Sequence, residues 1–169
     1  NVERLRRAKS VIDAARNTQI PIIFFQEIHR ASLVDFGREL DGSEGIHCLE
    51  TNPNTGIAAE EVGLLSTDYV IQKRRYSCFF GTDFEILLKG LKVDTLFLVG
   101  GLTDVCVHYT FVDAHQHDYF CRVIGDCVTG SSLEAHDASL SAMEYLQTGG
   151  VRNSAEVLGQ FEAFKFRGK

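Results

Sequence analysis

Apolar residues recur at helical spacing over residues 3–16, at Leu5, Ala8, Val11, Ile12 and Ala15, with Arg4, Arg6, Arg7 and Lys9 set among them. This pattern predicts an amphipathic helix. Pro21 then opens Ile22-Ile23-Phe24-Phe25, a short wholly apolar run of the kind that forms a buried parallel strand. Between 29 and 62 the periodicity disappears, and Gly37, Gly42, Gly45, Asn52-Pro53-Asn54 and Gly56 mark a long polar excursion, with one helical turn near 58–62. Excursions of that length usually carry function. Further on, the pattern predicts a strand over 69–73, a helix over 84–91 capped by Thr82 or Asp83, and a buried strand over 95–99 that stops at Gly100-Gly101. A helix over 105–117, a strand over 121–124, a helix over 132–147 closed by Gly149-Gly150, and a short helix over 154–158 complete the series.

Helical and apolar strand segments alternate, which is the signature of a parallel sheet covered on both faces. The expectation is one α/β domain spanning residues 1–169. Composition narrows the function classes. With 44% hydrophobic residues and a net charge of −6, the chain is neither disordered nor equipped to bind nucleic acid or an anionic membrane. Its longest aliphatic or aromatic runs, 22–25 and 96–99, are far short of the ~20 residues a transmembrane helix needs. Five cysteines with no CxxC pair suggest reduced thiols, and hence a cytoplasmic setting.

In open α/β sheets, ligands bind beyond the carboxyl ends of the strands. That directs attention to residues 26–30, 73–77, 100–106 and 125–130. Gly100-Gly101-Leu102-Thr103-Asp104-Val105-Cys106 places a cysteine near the first turn of a helix. There the backbone amides and the helix dipole favour a thiolate, and the same amides can hold an oxyanion. The competing reading of Cys106 is a small buried apolar residue, which also suffices for Cys48, Cys78, Cys121 and Cys127. Lys73 ends a strand and can stabilise a thiolate, or it can be a solvated lysine beside Arg74 and Arg75.

These segments resemble a known family. Lys73-Arg74-Arg75-Tyr76-Ser77-Cys78-Phe79-Phe80-Gly81-Thr82 is similar to the lysine motif of the isochorismatase-like cysteine hydrolases, which include nicotinamidases and N-carbamoylsarcosine amidohydrolases. Gly100-Gly101-Leu102-Thr103-Asp104-Val105-Cys106-Val107-His108-Tyr109-Thr110 resembles their nucleophile motif. Asp113-Ala114, Gly125-Asp126-Cys127 and the run from Val151 to Leu158 extend the likeness over essentially the whole chain. The resemblance implies a Rossmann-like three-layer α/β/α sandwich with a mainly parallel sheet of about six strands. It implies Cys106 as nucleophile, Lys73 as the triad lysine, and an oxyanion hole of the Leu102 and Cys106 amides beside a cis peptide between Gly101 and Leu102. The family's triad aspartate stands on a first strand ahead of the first helix. This sequence opens on Asn1-Val2-Glu3-Arg4, at or near that helix, so the expectation is that the strand and its aspartate are absent from it. Asp13 lies within the amphipathic helix and is no substitute.

Some relatives, notably nicotinamidases, follow the second strand with an Asp-x-His…His metal site. Here Glu27, His29 and Asp35, with His47 beyond, stand at related places. Glu27, His29 and Asp35 are weak candidates to ligate a divalent metal, with His47 completing the set. The favoured reading is that Glu27, His29 and Arg30 line the pocket mouth or bind across a subunit interface, and no cofactor is expected. The leading function is a cysteine hydrolase that opens a small amide, carbamoyl or ureido compound through a thioester. The alternatives are an isochorismatase-type vinyl-ether hydrolase, a metal-assisted hydrolase and a non-catalytic scaffold. Gln26, Tyr76 and Phe79 are nominated for substrate binding by position. A small-molecule substrate is the expected partner, and the apolar tail Phe161, Ala163, Phe164 and Phe166 suggests a homo-oligomer.

Overall fold

The computed structural model describes the backbone of residues 2–167 and the side chains of residues 2–164. Helix α1 (Val2–Asn17) buries Ala8, Val11, Ile12 and Ala15, the i, i+3, i+4, i+7 face expected from the sequence. Strand β1 (Ile23–Glu27) leads into the excursion, which holds two 3₁₀ turns, Gly37–Asp41 and Pro53–Thr55, and the single-turn helix α2 (Ala59–Val62). Strand β2 (Tyr69–Lys73), helix α3 (Phe84–Leu91) and strand β3 (Thr95–Gly101) follow. A π-helical turn (Thr103–Val107) then runs into α4 (His108–Gln116). Strand β4 (Phe120–Thr129), helix α5 (Leu133–Leu146), strand β5 (Val151–Arg152) and helix α6 (Ser154–Arg167) close the chain.

All strand pairs are parallel. β1 pairs with β2 in a register that sets Glu27 opposite Lys73. β3, β4 and β5 form a second sheet in that order. Side-chain alternation sorts the core into two faces. Leu96, Cys121 and Val123 pack with Phe84, Leu88, Phe111 and Met143 of α3, α4 and α5. Phe97, Val99, Ile124 and Cys127 pack with α1 and α6 through Val11, Val157 and Phe161. Helices therefore cover both faces of parallel strands in a mixed α/β fold, and among the described residues no helix is long and apolar enough to cross a membrane.

Several boundaries move from their expected places. β4 runs ten residues rather than four, because its pairing with β3 resumes at Gly100↔Val128 after a register shift past Leu98. α6 extends well beyond residue 158, and Phe161 is 2% exposed, edge-on against Phe97. Phe161 therefore belongs to the core rather than to an interface. Phe164 is exposed, and the side chain of Phe166 lies outside the described residues. For α3 the cap is Thr82, whose hydroxyl accepts from the Phe84 amide at 3.2 Å, whereas the Asp83 side chain makes no capping bond.

Among the described residues the strands form one sheet of two and one of three. The facing edges of β1 and β3 are not hydrogen-bonded to each other. Between them runs an apolar slot of about 540 Å³, walled by residues such as Phe24, Leu96, Leu98, Val11 and Leu88 and reaching Lys73 and Cys106 at one end.

Candidate active site

The strand ends bring three functional groups together. Register places Glu27 beside Lys73, and the Lys73 ammonium, 5% exposed, pairs with Glu27 Oε2. Lys73 Nζ also donates to the Arg75 carbonyl at 2.9 Å and to Cys106 Sγ at 3.4 Å. The Cys106 thiol faces the same Glu27 Oε2 at 3.5 Å. Cys106 stands in the π-helical turn that follows the cis peptide Gly101–Leu102. Glu27, Lys73 and Cys106 thus form a closed triangle. Sequence spacing nominated Glu27 only as a weak metal candidate, because its place beside the thiol depends on the β1–β2 register and on a turn some eighty residues away.

The motif residues around this triangle hold it in position. Thr103 is fully buried and its Oγ1 lies 2.9 Å from His136 Nδ1, tying the cysteine turn to α5. Asp104 accepts from the Ser131 amide at 2.9 Å and the Ser131 hydroxyl at 2.5 Å. Burial would raise its carboxyl, but these two bonds outweigh it and hold Asp104 below the usual range. Gly130 sits so close that an added Cβ would meet Asp104 Oδ1 and His136 Cβ at 2.9 Å. On the lysine side, Ser77 Oγ donates to Asp113 Oδ2 at 2.5 Å, and the Cys78 amide donates to Thr110 Oγ1 at 3.0 Å. Ser77, Cys78, Asp104 and Asp113 are therefore braces.

The electrostatics assign the protons. Burial would raise Glu27, but Lys73 and then His47 hold it low, and burial would lower Lys73, but the Cys106 sulfur and Glu27 hold it high, so both are charged. Burial pushes the Cys106 thiol up to about 12, with the Glu27 carboxylate adding to the rise and Lys73 opposing it. This corrects the expectation from helix-end chemistry. Desolvation beside a carboxylate outweighs the amides of the turn, and the resting group is a thiol.

A cavity of about 340 Å³ opens over the triangle, lined by Glu44, His47, Cys48, Tyr76, Leu102 and Val105 besides the three core groups and Gly101. Tyr76 takes the expected place, its hydroxyl 3.1 Å from Glu44 Oε2. Gln26 and Phe79 do not line the cavity. Gln26 donates to the Thr55 carbonyl at 3.3 Å, because alternation along β1 turns it away from the face that Glu27 presents. Phe79 is drawn into the aromatic core, stacked on His117 at 5.2 Å and packed on Phe84 and Tyr119. Glu44 and Cys48 were not nominated individually, although they belong to the excursion that the sequence marks for specificity.

Beside the cavity, Glu27, His29, Glu39 and His47 bring four potential metal donors within 4.8 Å of one another. Asp35, the residue expected there from spacing, instead accepts from the Arg30 amide at 3.0 Å and from its guanidinium at 2.7 Å. Burial would raise Asp35, but the Arg30 bonds and the Arg30 and Arg74 charges hold it low.

Comparison with known proteins gives the fold its family. The family model described as "Isochorismatase domain" matches residues 2–156. The chain belongs to the isochorismatase family. Among its relatives, the uncharacterised isochorismatase family protein YwoC of Bacillus subtilis is 34% identical over 100 residues, 59% of this chain and 52% of YwoC. The ureidoacrylate amidohydrolase RutB of Methylobacterium radiotolerans is 30% identical over 159 residues, 85% of this chain and 60% of that protein. Against the first two curated relatives, this isochorismatase-family chain spans 52% and 40% of their length. Among solved structures, a cysteine hydrolase from Pseudomonas syringae pv. phaseolicola superposes with a TM-score of 0.86 at 25% identity, covering 96% of this chain and 80% of that one.

Proposed function

We propose that this isochorismatase-family chain is a cysteine hydrolase that opens a C–N bond in a small amide, carbamoyl or ureido compound. The observation that carries the reading is the contact of Cys106 Sγ with both Lys73 Nζ and Glu27 Oε2 at the floor of a cavity sized for a small molecule. Relatives that include a ureidoacrylate amidohydrolase and a maleamate amidohydrolase support the class of bond.

In this reading Cys106 attacks the substrate carbonyl carbon. The new S–C bond forms as the thiol proton passes to Glu27, because a thiol held near 12 is not free thiolate at neutral pH. Lys73 stabilises the charge that builds on sulfur, and the backbone amides of Leu102 and Cys106 receive the carbonyl oxygen as it becomes an oxyanion. When the C–N bond breaks, Glu27 returns its proton to the departing nitrogen. Water then adds to the thioester with Glu27 as base, the S–C bond breaks, and the acid leaves as the thiol is restored. A carboxylate on β1 thus does here what the family resemblance assigns to an aspartate on a preceding strand.

We also infer that the sheet reaches six strands, in the order β2, β1, inserted strand, β3, β4, β5, when an extended apolar segment occupies the slot. Such a strand would bond to both open edges, and its carboxyl end would lie beside Lys73 and Cys106, which the slot reaches.

The deciding experiment screens primary amides, carbamoyl and ureido compounds for release of ammonia or amine, with the Cys106→Ala variant in parallel. The expected result is a loss of at least ~10³-fold in the variant. Undiminished amide turnover by Cys106→Ala refutes the thiol mechanism, and turnover of a vinyl ether without the thiol would point to isochorismatase-type chemistry instead.

A further inference from the structure

The charges that line the cavity over Cys106 are unevenly matched. Its basic groups are Lys73 and His47, and both face Glu27. Lys73 pairs with Oε2, and His47 Nε2 lies 3.0 Å from Oε1. The two arginines that precede Tyr76 do not line the cavity. Arg74 donates to the Ile28 carbonyl and Arg75 to the Asp35 carbonyl. No cation of the lining is therefore left to meet a substrate carboxylate.

The second carboxylate of the lining stands differently. Among the described residues the Glu44 side chain has one hydrogen bond, which Oε2 accepts from the Tyr76 hydroxyl at 3.1 Å, and no cation at ion-pair distance. Oε1 has no partner in the protein. The place of Glu44 is nonetheless defined. The carbonyl of its neighbour Gly45 lies 2.7 Å from His47 Nδ1, and the far nitrogen of that ring reaches Glu27. Tyr76 is half-buried and packs against Tyr109 at 5.8 Å between ring centroids. Burial and the Glu44 carboxylate push its phenol above the ordinary range, so it keeps its proton and holds Glu44 as a donor.

We propose that Glu44, oriented by Tyr76, is the subsite for the end of the substrate remote from the scissile bond, and that this end carries a protonated amine. An ammonium there donates to the open side of the carboxylate, a charge-assisted bond stronger than a neutral one. The aromatic ring beside it attracts cations as well. A carboxylate in the same position meets Glu44 with no counter-cation, so one residue both selects and rejects. Between the two ends, Leu102 and Val105 provide apolar wall for a short aliphatic spacer. The substrate class is thus a short amide or ureido compound with an ammonium tail. The assignment rests on the proposed function for one point alone, that the substrate occupies this cavity.

The test measures binding rather than turnover, which separates it from the chemistry of the thiol. Three amides of matched chain length, 3-aminopropanamide, butanamide and succinamate, are titrated calorimetrically into Cys106→Ala at neutral pH in EDTA. The ammonium compound is expected to bind ~10-fold tighter than butanamide and ~100-fold tighter than succinamate. Adding Glu44→Gln should reduce the ratio of cation to anion affinity by ~10-fold or more, and Glu44→Lys should invert the order. Partial unfolding weakens all three compounds alike and leaves that ratio unmoved. Tyr76→Phe, which releases the carboxylate from its donor, should lower the ratio by only ~3-fold.

Equal affinities, tightest binding of succinamate, or no saturable binding of 3-aminopropanamide overturns the subsite. So does a ratio that Glu44→Gln leaves unchanged, or one that falls further in Tyr76→Phe than in Glu44→Gln. Absence of amide turnover by the unsubstituted protein, with the expected order of affinities intact, refutes the hydrolase reading alone and upholds the subsite.

Discussion

Consider what happens when Lys73 is replaced by Met. The substitution keeps the stem and removes an ammonium that is 5% exposed and pairs with a carboxylate whose side chain is 12% exposed. Breaking a buried ion pair from one side costs about 3–5 kcal/mol, because the surviving charge stays desolvated. The two single substitutions should differ within that range. After Lys73→Met, Glu27 retains His47 at 3.0 Å, and His47 is already shifted toward its charged form despite burial, through its bond to Gly45 and the Glu27 charge. That loss falls near 3 kcal/mol. After Glu27→Gln, Lys73 keeps only the Arg75 carbonyl and Sγ, neither of which carries an opposing charge at rest, so the loss approaches 5 kcal/mol. At about 2–4 °C per kcal/mol for a chain of this size, the single variants should melt roughly 6–20 °C lower. The double variant should be no worse than the worse single one, giving a coupling of about 3 kcal/mol or more. Urea denaturation in EDTA measures the four corners of the cycle. Activity should stay lost in the double variant, since stability returns without the cation beside sulfur. Additive losses below about 1 kcal/mol each would mean that the pair behaves like a surface ion pair, and the account of a sealed triangle would be wrong.

Two further outcomes are expected. Asp68, whose side chain is 4% exposed, receives Arg16 at 2.7 Å and the Leu65 amide at 2.9 Å. Burial opposes these partners, yet they hold its carboxyl below 3.8. A carboxyl lowered on folding contributes fully above its unfolded value and loses that contribution as pH falls through the folded one. Acid melts of Asp68→Asn should therefore draw closer to those of the parent as pH falls below the ordinary carboxylate range, and a gap that does not narrow on acidification would refute the assignment. Gly130→Ala should cost about 1–3 kcal/mol and reduce kcat more than it raises KM, because its Cβ would push on Asp104 and His136, which hold the cysteine turn. A silent substitution in denaturation and kinetics would show that the brace is slack.

Much of the fold was legible because local patterns decide it. The apolar face of α1 and the bounds of β2 and α3 follow from periodicity alone. The length of β4 did not, since its second half pairs only after a register shift that no local pattern records. The two-residue strand β5 is too short to leave a pattern at all. Cys106 and Lys73 stood out through their motifs, and the structure brings them to 3.4 Å. Glu27 and Glu39 were obscured for different reasons. The first acquires its place by cross-strand register. The second sits in a 3₁₀ turn within a segment of no periodicity, where an acidic residue reads as solvated surface. Gln26 and Phe79 illustrate the reverse error: closeness to a strand end does not say which way a side chain turns.

The slot between β1 and β3 divides the working parts as well as the sheet. Glu27 and Lys73 ride on one pair of strands, and Cys106 follows from the other group. What spans the divide is largely helical: α1 lies against α6 and β4 on one side and reaches α2 and Asp68 on the other through Arg16. The distance between sulfur and ammonium therefore depends on how the two strand groups are held against each other. A strand bonded to both edges of the slot, as inferred above, would fix that distance, and the reactivity of the thiol would then report whether the sheet is continuous.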